Sequence, residues 1–505
     1  MKHSSWLLLS VAFGWALGGP VQAETRRVSL EDCIELSLQR NLDIRIQRLG
    51  PEIARFSLGS SLAAYDPEIQ LRASRRYSTS PGGVDDQGRK YDGNQEDSTD
   101  LSAGLAGIIP TGLSYSLSGS LSDREILSED PRLPPILGGN AILGNANAFS
   151  GITLTQPLLR NFWIDGPRLN IKIARNQLRI SKLTLQGQFI DTITSVELAY
   201  LELVAARETV KVQEKALQLA EQLWQENQKR VAVGVLAPLD EKQAESQVAS
   251  TRAALLGARN TVVIRQNALK SLLDDRFVEW HNDQLEPVED LQAAPRTFSL
   301  QDSWSKGVAL RPELLQAKTG LESRNLTLEF RKNQLFPQLD VTGSYGRLGN
   351  ATEMSGALDR IEEGAGPVYS FGAIFRMPLT NRDARNQHRR AKAELEQALL
   401  NLKKLEQQVL IQIHDAVSQA QTSYQQVEAT KAAVEYAQAA LDAEQKKLEN
   451  GKSTSFQVLQ LQRDLTSREF EHIRAKTDFN AALARLAQAE GTTLERRNVY
   501  IDWED

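Results

Sequence analysis

Asp66-Pro67-Glu68-Ile69-Gln70-Leu71-Arg72-Ala73-Ser74 is the stretch on which the reading of this chain turns. A helical pattern runs up to Pro67 and stops there. From Glu68 to Tyr77, Ile69, Leu71 and Ala73 alternate with Gln70, Arg72 and Ser74. About ten residues of that alternation match the length of a tilted transmembrane strand. The same switch returns at Phe336-Pro337-Gln338-Leu339, and the order around it returns too. In the first half a strand ends at Gln156-Pro157-Leu158-Leu159, and a long helical tract breaks at Val233-Gly234-Val235-Leu236-Ala237-Pro238. In the second half a strand ends at Met377-Pro378-Leu379, and a long helical tract breaks at Asn450-Gly451-Lys452-Ser453-Thr454. By length alone a chain of 505 residues suggests about three domains. The duplication argues instead for two structural repeats, 24–297 and 298–490, between an N-terminal segment 1–23 and a tail 491–505.

Working outward, Val28 to about Leu62 reads as helix through Leu30, Ile34, Leu38 and Ile44, with Ser29 as N-cap and Asp32 three residues on. Ser78–Thr99, rich in Gly, Asp, Asn and Gln, reads as a solvated loop. Alternating stretches follow at Leu101–Ile108 and Gly112–Leu121, hinged at Ile109-Pro110-Thr111-Gly112; then comes a Pro- and Gly-containing loop, Leu121–Asn147, and a strand, Phe149–Leu158. The second repeat has strands at Val341–Arg347 and Ser370–Leu379 around a Gly- and Glu-containing loop. The Pro67–Pro157 interval exceeds Pro337–Pro378 by about fifty residues, at the loop tips where elaboration is tolerated. Whether the extra hairpin at Leu101–Leu121 joins the other strands or sits outside them is open.

The helical tracts, Pro167 to about Val233 and Ala384 to about Asn450, hold roughly 65 residues each, about 100 Å at 1.5 Å per residue. Leu395, Leu399, Leu402, Val409, Ile413, Ala416, Ala420 and Val427 follow a three-four spacing, with Glu406 and Ser423 as misses, and Ile193, Val196, Tyr200 and Leu203 do the same in the first repeat. That is the seam of knobs-into-holes packing. Residues 274–299 read as mixed polar sequence with proline, followed by a short helix to Leu310 and a second helix starting at Arg311-Pro312-Glu313-Leu314, where proline is tolerated.

Lys2 and His3, an apolar run from Trp6 to Leu17, and Val21-Gln22-Ala23 make a secretory signal peptide with cleavage expected after Ala23. Mean hydropathy of −0.38 and 6% aromatics exclude a bundle of membrane helices but not a β-barrel, whose alternating strands hide from hydropathy windows. Cys33 is the one cysteine, which excludes an intrachain disulfide, and it reads as a small buried residue. A net charge of −5 gives no electrostatic case for nucleic acid. Nothing points to an enzyme, a metal site or a cofactor. The five histidines lack ligand spacing, no phosphate loop is present, and Ser303-x-x-Lys306 has no supporting context.

The strand end Gln156-Pro157-Leu158-Leu159, the helix start Arg311-Pro312-Glu313-Leu314, the switch Pro337-Gln338-Leu339-Asp340 and the turns at Gly234 and Gly451 are each weak marks alone. Duplicated and in this order, they make the chain resemble the TolC-like outer-membrane efflux and secretion channels over essentially its whole mature length. The resemblance implies a mixed fold: a trimeric outer-membrane β-barrel joined to a long periplasmic α-helical barrel, a coiled-coil tunnel. Physical reasoning agrees with the oligomer, because about four strands per chain cannot close a channel and unpaired edges are not tolerated in lipid. As implied partners the homotrimer, embedded in outer-membrane lipid, takes a periplasmic adaptor (membrane fusion) protein and an inner-membrane transporter, and the chain is the passive exit duct of a tripartite efflux pump or a type I secretion system. The alternative is a periplasmic coiled-coil structural or adaptor protein without a barrel.

By the same resemblance, Val233, Gly234, Val235, Leu236 and Ala237 form one adaptor-contact tip, and Asn450, Gly451, Lys452, Ser453 and Thr454 form the other. Gly234 and Gly451 also read simply as helix C-terminal caps, and the two roles are compatible. Relatives often carry carboxylates six and nine residues past the second tip glycine, in an anionic constriction. Here those places hold Gln457 and Gln460, while Asp240 and Gln243 occupy the equivalent places after Gly234. A three-fold ring of Asp240 would attract cations; equally, Asp240 is a first-turn acid favoured by the helix dipole.

Overall fold

The structure is a computed structural model describing residues 25–84, 86–128 and 141–500. The expected signal peptide lies outside those residues. In chain order the elements begin with β1 (Thr25–Val28), α1 (Leu30–Arg40), α2 (Leu42–Leu62), β2 (Glu68–Thr79), β3 (Gly83–Val84), β4 (Lys90–Tyr91), β5 (Gln95–Ile108), β6 (Ser114–Ser128) and β7 (Ala141–Pro157). Then come α3 (Gly166–Ala232), α4 (Pro238–Leu273), α5 (Phe277–Trp280), β8 (Gln284–Pro287), α6 (Leu300–Leu310) and α7 (Pro312–Asn333). The last are β9 (Gln338–Ala351), α8 (Met354–Glu362), β10 (Pro367–Arg376), α9 (Arg382–Glu449), α10 (Ser455–Glu490) and α11 (Thr493–Arg496). Contacts divide them into two compact units, each drawing on both halves of the sequence.

One unit holds residues 50–183 and 314–405. Its centre is a six-stranded antiparallel meander in the order β10-β9-β7-β6-β5-β2. This corrects the expectation of about four strands and answers the open question of the hairpin: β5 pairs with β2 on one side and β6 pairs with β7 on the other, in unbroken register. The expected loops shrink accordingly. Thr79 and Gln95 are already paired, with a small hairpin of the two-residue strands β3 and β4 between them, and β6 and β7 run to Ser128 and from Ala141. The expected β9–β10 loop contains α8, which sits on the sheet over Ala146 and Ala148.

Residues directly opposite in register share a face. One face therefore carries Ile69, Leu71, Leu101, Leu117, Ile152 and Phe371, all exposed. The other carries Ser74, Ser102, Ser120, Thr155, Thr342 and Ser370. Both edges are bare: every residue of β10 and nearly every residue of β2 is exposed. Where strands become helices, Asn161 and Asn381 adopt left-handed backbone (φ 66 and 41). Gln334 Nε2 donates to Asn161 Oδ1 at 2.6 Å and Asn381 Nδ2 donates to the Leu335 carbonyl at 3.2 Å, so each bend is held against the end of α7.

The other unit holds the described residues up to Leu49, residues 184–313, and residues from 406 onward. The helix expected from Val28 is broken at Asn41, whose extended backbone (ψ 130) ends α1. Ser29 and Asp32 form the expected reciprocal cap. Ile193, Val196, Tyr200 and Leu203 are all at most 1% exposed and pack with Cys33, Ile34, Leu269, Leu273 and Leu285. The α9 seam is Val409, Ile413, Val417, Ala420, Ser423 and Val427. Val417 rather than Ala416 takes the buried place, and Ser423, a miss in the apolar spacing, is fully buried. The 274–299 stretch contains α5 and β8, and β8 pairs in parallel with β1.

Cys33 is 1% exposed, and burial pushes its thiol up to about 12. Since the thiolate is the nucleophile, native protein at pH 8 should take up almost no iodoacetamide and denatured protein one equivalent per chain, as read by mass spectrometry. Equal labelling in both states would contradict the buried placement.

Candidate functional site

The two turns are built alike. At the end of α3, Gly234 N–H donates to the Val231 carbonyl (2.9 Å) and Val235 N–H to the Arg230 carbonyl (2.8 Å). At the end of α9, Gly451 N–H donates to the Leu448 carbonyl (3.1 Å) and Lys452 N–H to the Lys447 carbonyl (2.8 Å). These are paired Schellman closures with the glycine left-handed, φ 75 and 71, a conformation that costs a side-chain-bearing residue about 1–2 kcal/mol. The helix after each turn starts differently. Pro238 opens α4 behind Ala237, which offers no side-chain cap, whereas the Thr454 side chain accepts from Gln457 N–H at 3.4 Å to cap α10.

Val233 and Val235 are 73% and 69% exposed, Gly234 and Ala237 are exposed, and Leu236 is half-buried. In the second turn Asn450, Gly451, Lys452 and Thr454 are exposed. Ser453 is half-buried because its hydroxyl donates to Glu444 Oε1 at 2.5 Å. That bond and the Lys447 ammonium at 2.9 Å hold the Glu444 carboxyl below the usual carboxylate range. Asp240 is half-buried in the first turn of α4, while Gln243, Gln457 and Gln460 are exposed.

Sequence reasoning missed what ties these turns together. Asn227, fully buried, donates from Nδ2 to the Asp240 carbonyl (3.3 Å) and accepts at Oδ1 from Ser455 Oγ (2.9 Å). One side chain thus joins α3 to the first turns of α4 and α10. Arg230 adds a second tie, donating to the Leu448 carbonyl at 3.3 Å while it pairs with Glu226. A signal for Asn227 was present: Ala220, Leu223 and Asn227 keep the three-four spacing of buried positions, so the asparagine is a polar residue on an apolar seam. Among the described residues no group of three or more His, Cys, Asp or Glu side chains is placed to hold a metal ion. No described helix is long and apolar enough to cross a membrane.

Outer membrane efflux protein BepC of Brucella suis biovar 1 (strain 1330) is 24% identical over 344 residues, 68% of this chain and 71% of that protein. Outer membrane protein OprJ of Pseudomonas aeruginosa is 25% identical over 479 residues, 93% of this chain and 84% of that protein. The crystal structure of the outer membrane protein VceC from Vibrio cholerae superposes with a TM-score of 0.65 at 18% identity, covering 92% of this chain and 96% of that one. The family model described as outer membrane efflux protein matches residues 145–274 and 305–492, with β2, β5 and β6 outside the match. Those residues are more than half of the sequence and carry both turns, and the chain belongs to the outer membrane efflux protein family.

Proposed function

We propose that three copies of this outer membrane efflux protein close one barrel and one helical tunnel. The duct they form is passive, and an inner-membrane transporter drives it through a periplasmic adaptor, in a tripartite pump or a type I secretion system. The observation that carries this reading is the sheet of the strand-bearing unit. It has an apolar face suited to lipid, a Ser/Thr face suited to a wet lumen, and two bare edges. Open edges are not tolerated in hydrocarbon. With six strands in a meander, β2 and β10 run in opposite directions, so β10 of one chain meets β2 of the next in antiparallel pairing. Six strands from each of three chains make an eighteen-stranded barrel, a size that leaves an aqueous channel.

The helical elements support two structural repeats: α3 and α9 hold 67 and 68 residues, α4 and α10 hold 36 each, and both turns use the same closure. The exposed turn residues Val233 to Ala237 and Asn450 to Thr454 are the adaptor-contact surface. Asp240 lines the constriction with Gln243, Gln457 and Gln460. No enzymatic step is part of this reading.

Planar-bilayer recording of the purified full chain tests it, with light scattering for the oligomer. Trimers should give stable conductance steps. Asp240→Ala should weaken block by a trivalent cation several-fold, because three carboxylates would face one ion. A monomer, or a membrane-inserted trimer without conductance in either protein, would sink the duct; unchanged block would remove Asp240 from the constriction.

A further inference from the structure

One face of helix α2 is apolar and left open by its own chain. Leu42, Ile46, Leu49, Ile53 and Phe56 repeat at three-four spacing and are 52–72% exposed. That spacing is the one a second helix covers by knobs-into-holes packing. On α9, Ala393 and Leu400, one heptad apart, are also exposed, Leu400 at 64%. Charges of opposite sign flank the two stripes: Glu52 precedes Ile53, and Lys392 precedes Ala393. Both are exposed, and neither has a hydrogen-bond or ion-pair partner among the described residues.

The sheet says which helix covers that face. Residues 63–67 lead from α2 into β2 and residues 377–381 from β10 into α9, five in each connection. The helix-side ends of paired strands meet within two residues of one another, with Arg376 opposite Gln338, Pro157 opposite Asp340 and Glu68 opposite Ala106. Where β10 of one copy pairs with β2 of the next in the same way, α9 of the first and α2 of the second leave the sheet side by side. Because α2 runs toward the sheet and α9 away from it, they are antiparallel. Glu52 lies ten residues from Leu62 at the sheet end of α2, and Lys392 ten from Arg382 at that of α9. At 1.5 Å per residue both sit about 15 Å along. Each charge precedes its stripe residue by one and so flanks the stripe on the same side. Antiparallel helices bring like sides together, and here the charges that meet are opposite. We infer that α2 of each copy packs its apolar face on α9 of the neighbouring copy, with Glu52 paired to Lys392 across the seam.

The inference rests on the trimer proposed above, and the test separates the two. Purified full chain in mild detergent is sized by light scattering and treated with a carbodiimide, which joins a carboxylate and an amine in contact as an amide with loss of water. Species are separated on a denaturing gel, and linked peptides are identified by mass spectrometry. Lys215 and Glu469, 3.1 Å apart within one chain, should couple in every species and serve as the internal control. A Glu52–Lys392 link should appear in the covalent dimer and trimer bands and be absent from the monomer band. Glu52→Gln and Lys392→Gln should each abolish it and leave the trimer intact, because one exposed ion pair adds little to stability. The exchanged variant, Glu52→Lys with Lys392→Glu, should restore it. A trimer in which the control couples but Glu52 and Lys392 do not overturns the seam and leaves the duct standing, and so does a link confined to the monomer band. A monomer by light scattering removes the duct and the seam together.

Discussion

Replacing Glu197 by alanine should lower the thermal midpoint of the helical circular-dichroism signal by an amount equivalent to about 3 kcal/mol, the low end of what breaking a buried ion pair costs. Glu197 sits on α3 next to Val196 in the apolar seam and is 3% exposed. Its Oε1 accepts from Arg496 Nη2 at 3.2 Å and from Arg497 Nη2, both from the last described turn of the chain. Arg496 also donates to the Leu483 carbonyl at 3.1 Å, so the pair pins α11 across α10 onto α3. Alanine would leave two guanidinium groups facing an apolar wall. Their side chains keep 29% and 18% exposure, so part of the charge can turn to water, which is why the low end is expected. Glu197→Gln keeps shape and one acceptor and should lose roughly half as much, consistent with hydrogen bonds to charged groups being worth about 1.5–3 kcal/mol. A midpoint unchanged in both variants would mean that the tail is held by packing alone.

That clasp was invisible in the sequence, where residues 491–505 read only as a short charged tail. The contrast with what was legible has a physical pattern. The long helices were read to within two residues of their ends, Gly166–Ala232 and Arg382–Glu449, because glycine and proline punctuate an otherwise unbroken period. The alternating parts of β2, β5 and β7 were also read, because there one face of the sheet is regularly apolar. Their extensions were not. Past Asp97, Asp123 and Asn145 both faces can be wet, the alternation disappears, and polar strand looks like polar loop. The four-residue strands β1 and β8 are too short for any period, and their partners lie more than 250 residues apart.

Helix α8 stayed hidden because only nine residues form it, and it is held by the sheet rather than by propensity. At the turns, Gly234 and Gly451 were legible since only a left-handed residue closes them. What braces them, Asn227 and Ser455, was not, since hydrogen-bond partners 228 residues apart leave no local trace. Ser423 and Asn227 share one lesson. A small polar residue at a seam spacing is a buried contact, and counting it as a miss discards the positions that fix helix register.

Asn227→Leu should therefore have its larger effect on opening rather than on folding. Leucine fills a similar volume on an apolar seam, so packing around Leu223 and Leu459 survives. Two bonds do not survive. The Asp240 carbonyl loses its side-chain donor, and the Ser455 hydroxyl, 2% exposed, loses its acceptor. A buried group left without a partner costs about 1–3 kcal/mol. In the duct proposed above, that cost falls on the arrangement in which Asn227 ties the three helices together, and a gate that opened by separating α10 from α3 would relieve it. At about 1.4 kcal/mol per factor of ten, a 2 kcal/mol penalty on the closed arrangement raises the open-to-closed ratio roughly thirtyfold. Planar-bilayer recordings of the variant should show that rise in open probability, while its melting midpoint falls by only a few degrees. Arg230→Gln, which removes the bond to the Leu448 carbonyl, should act in the same direction. It should do so less strongly, because Arg230 is a quarter exposed and water can replace it. If open probability stays at the wild-type value while the melting midpoint drops, Asn227 braces the fold, and the closure of the duct lies elsewhere along the helices.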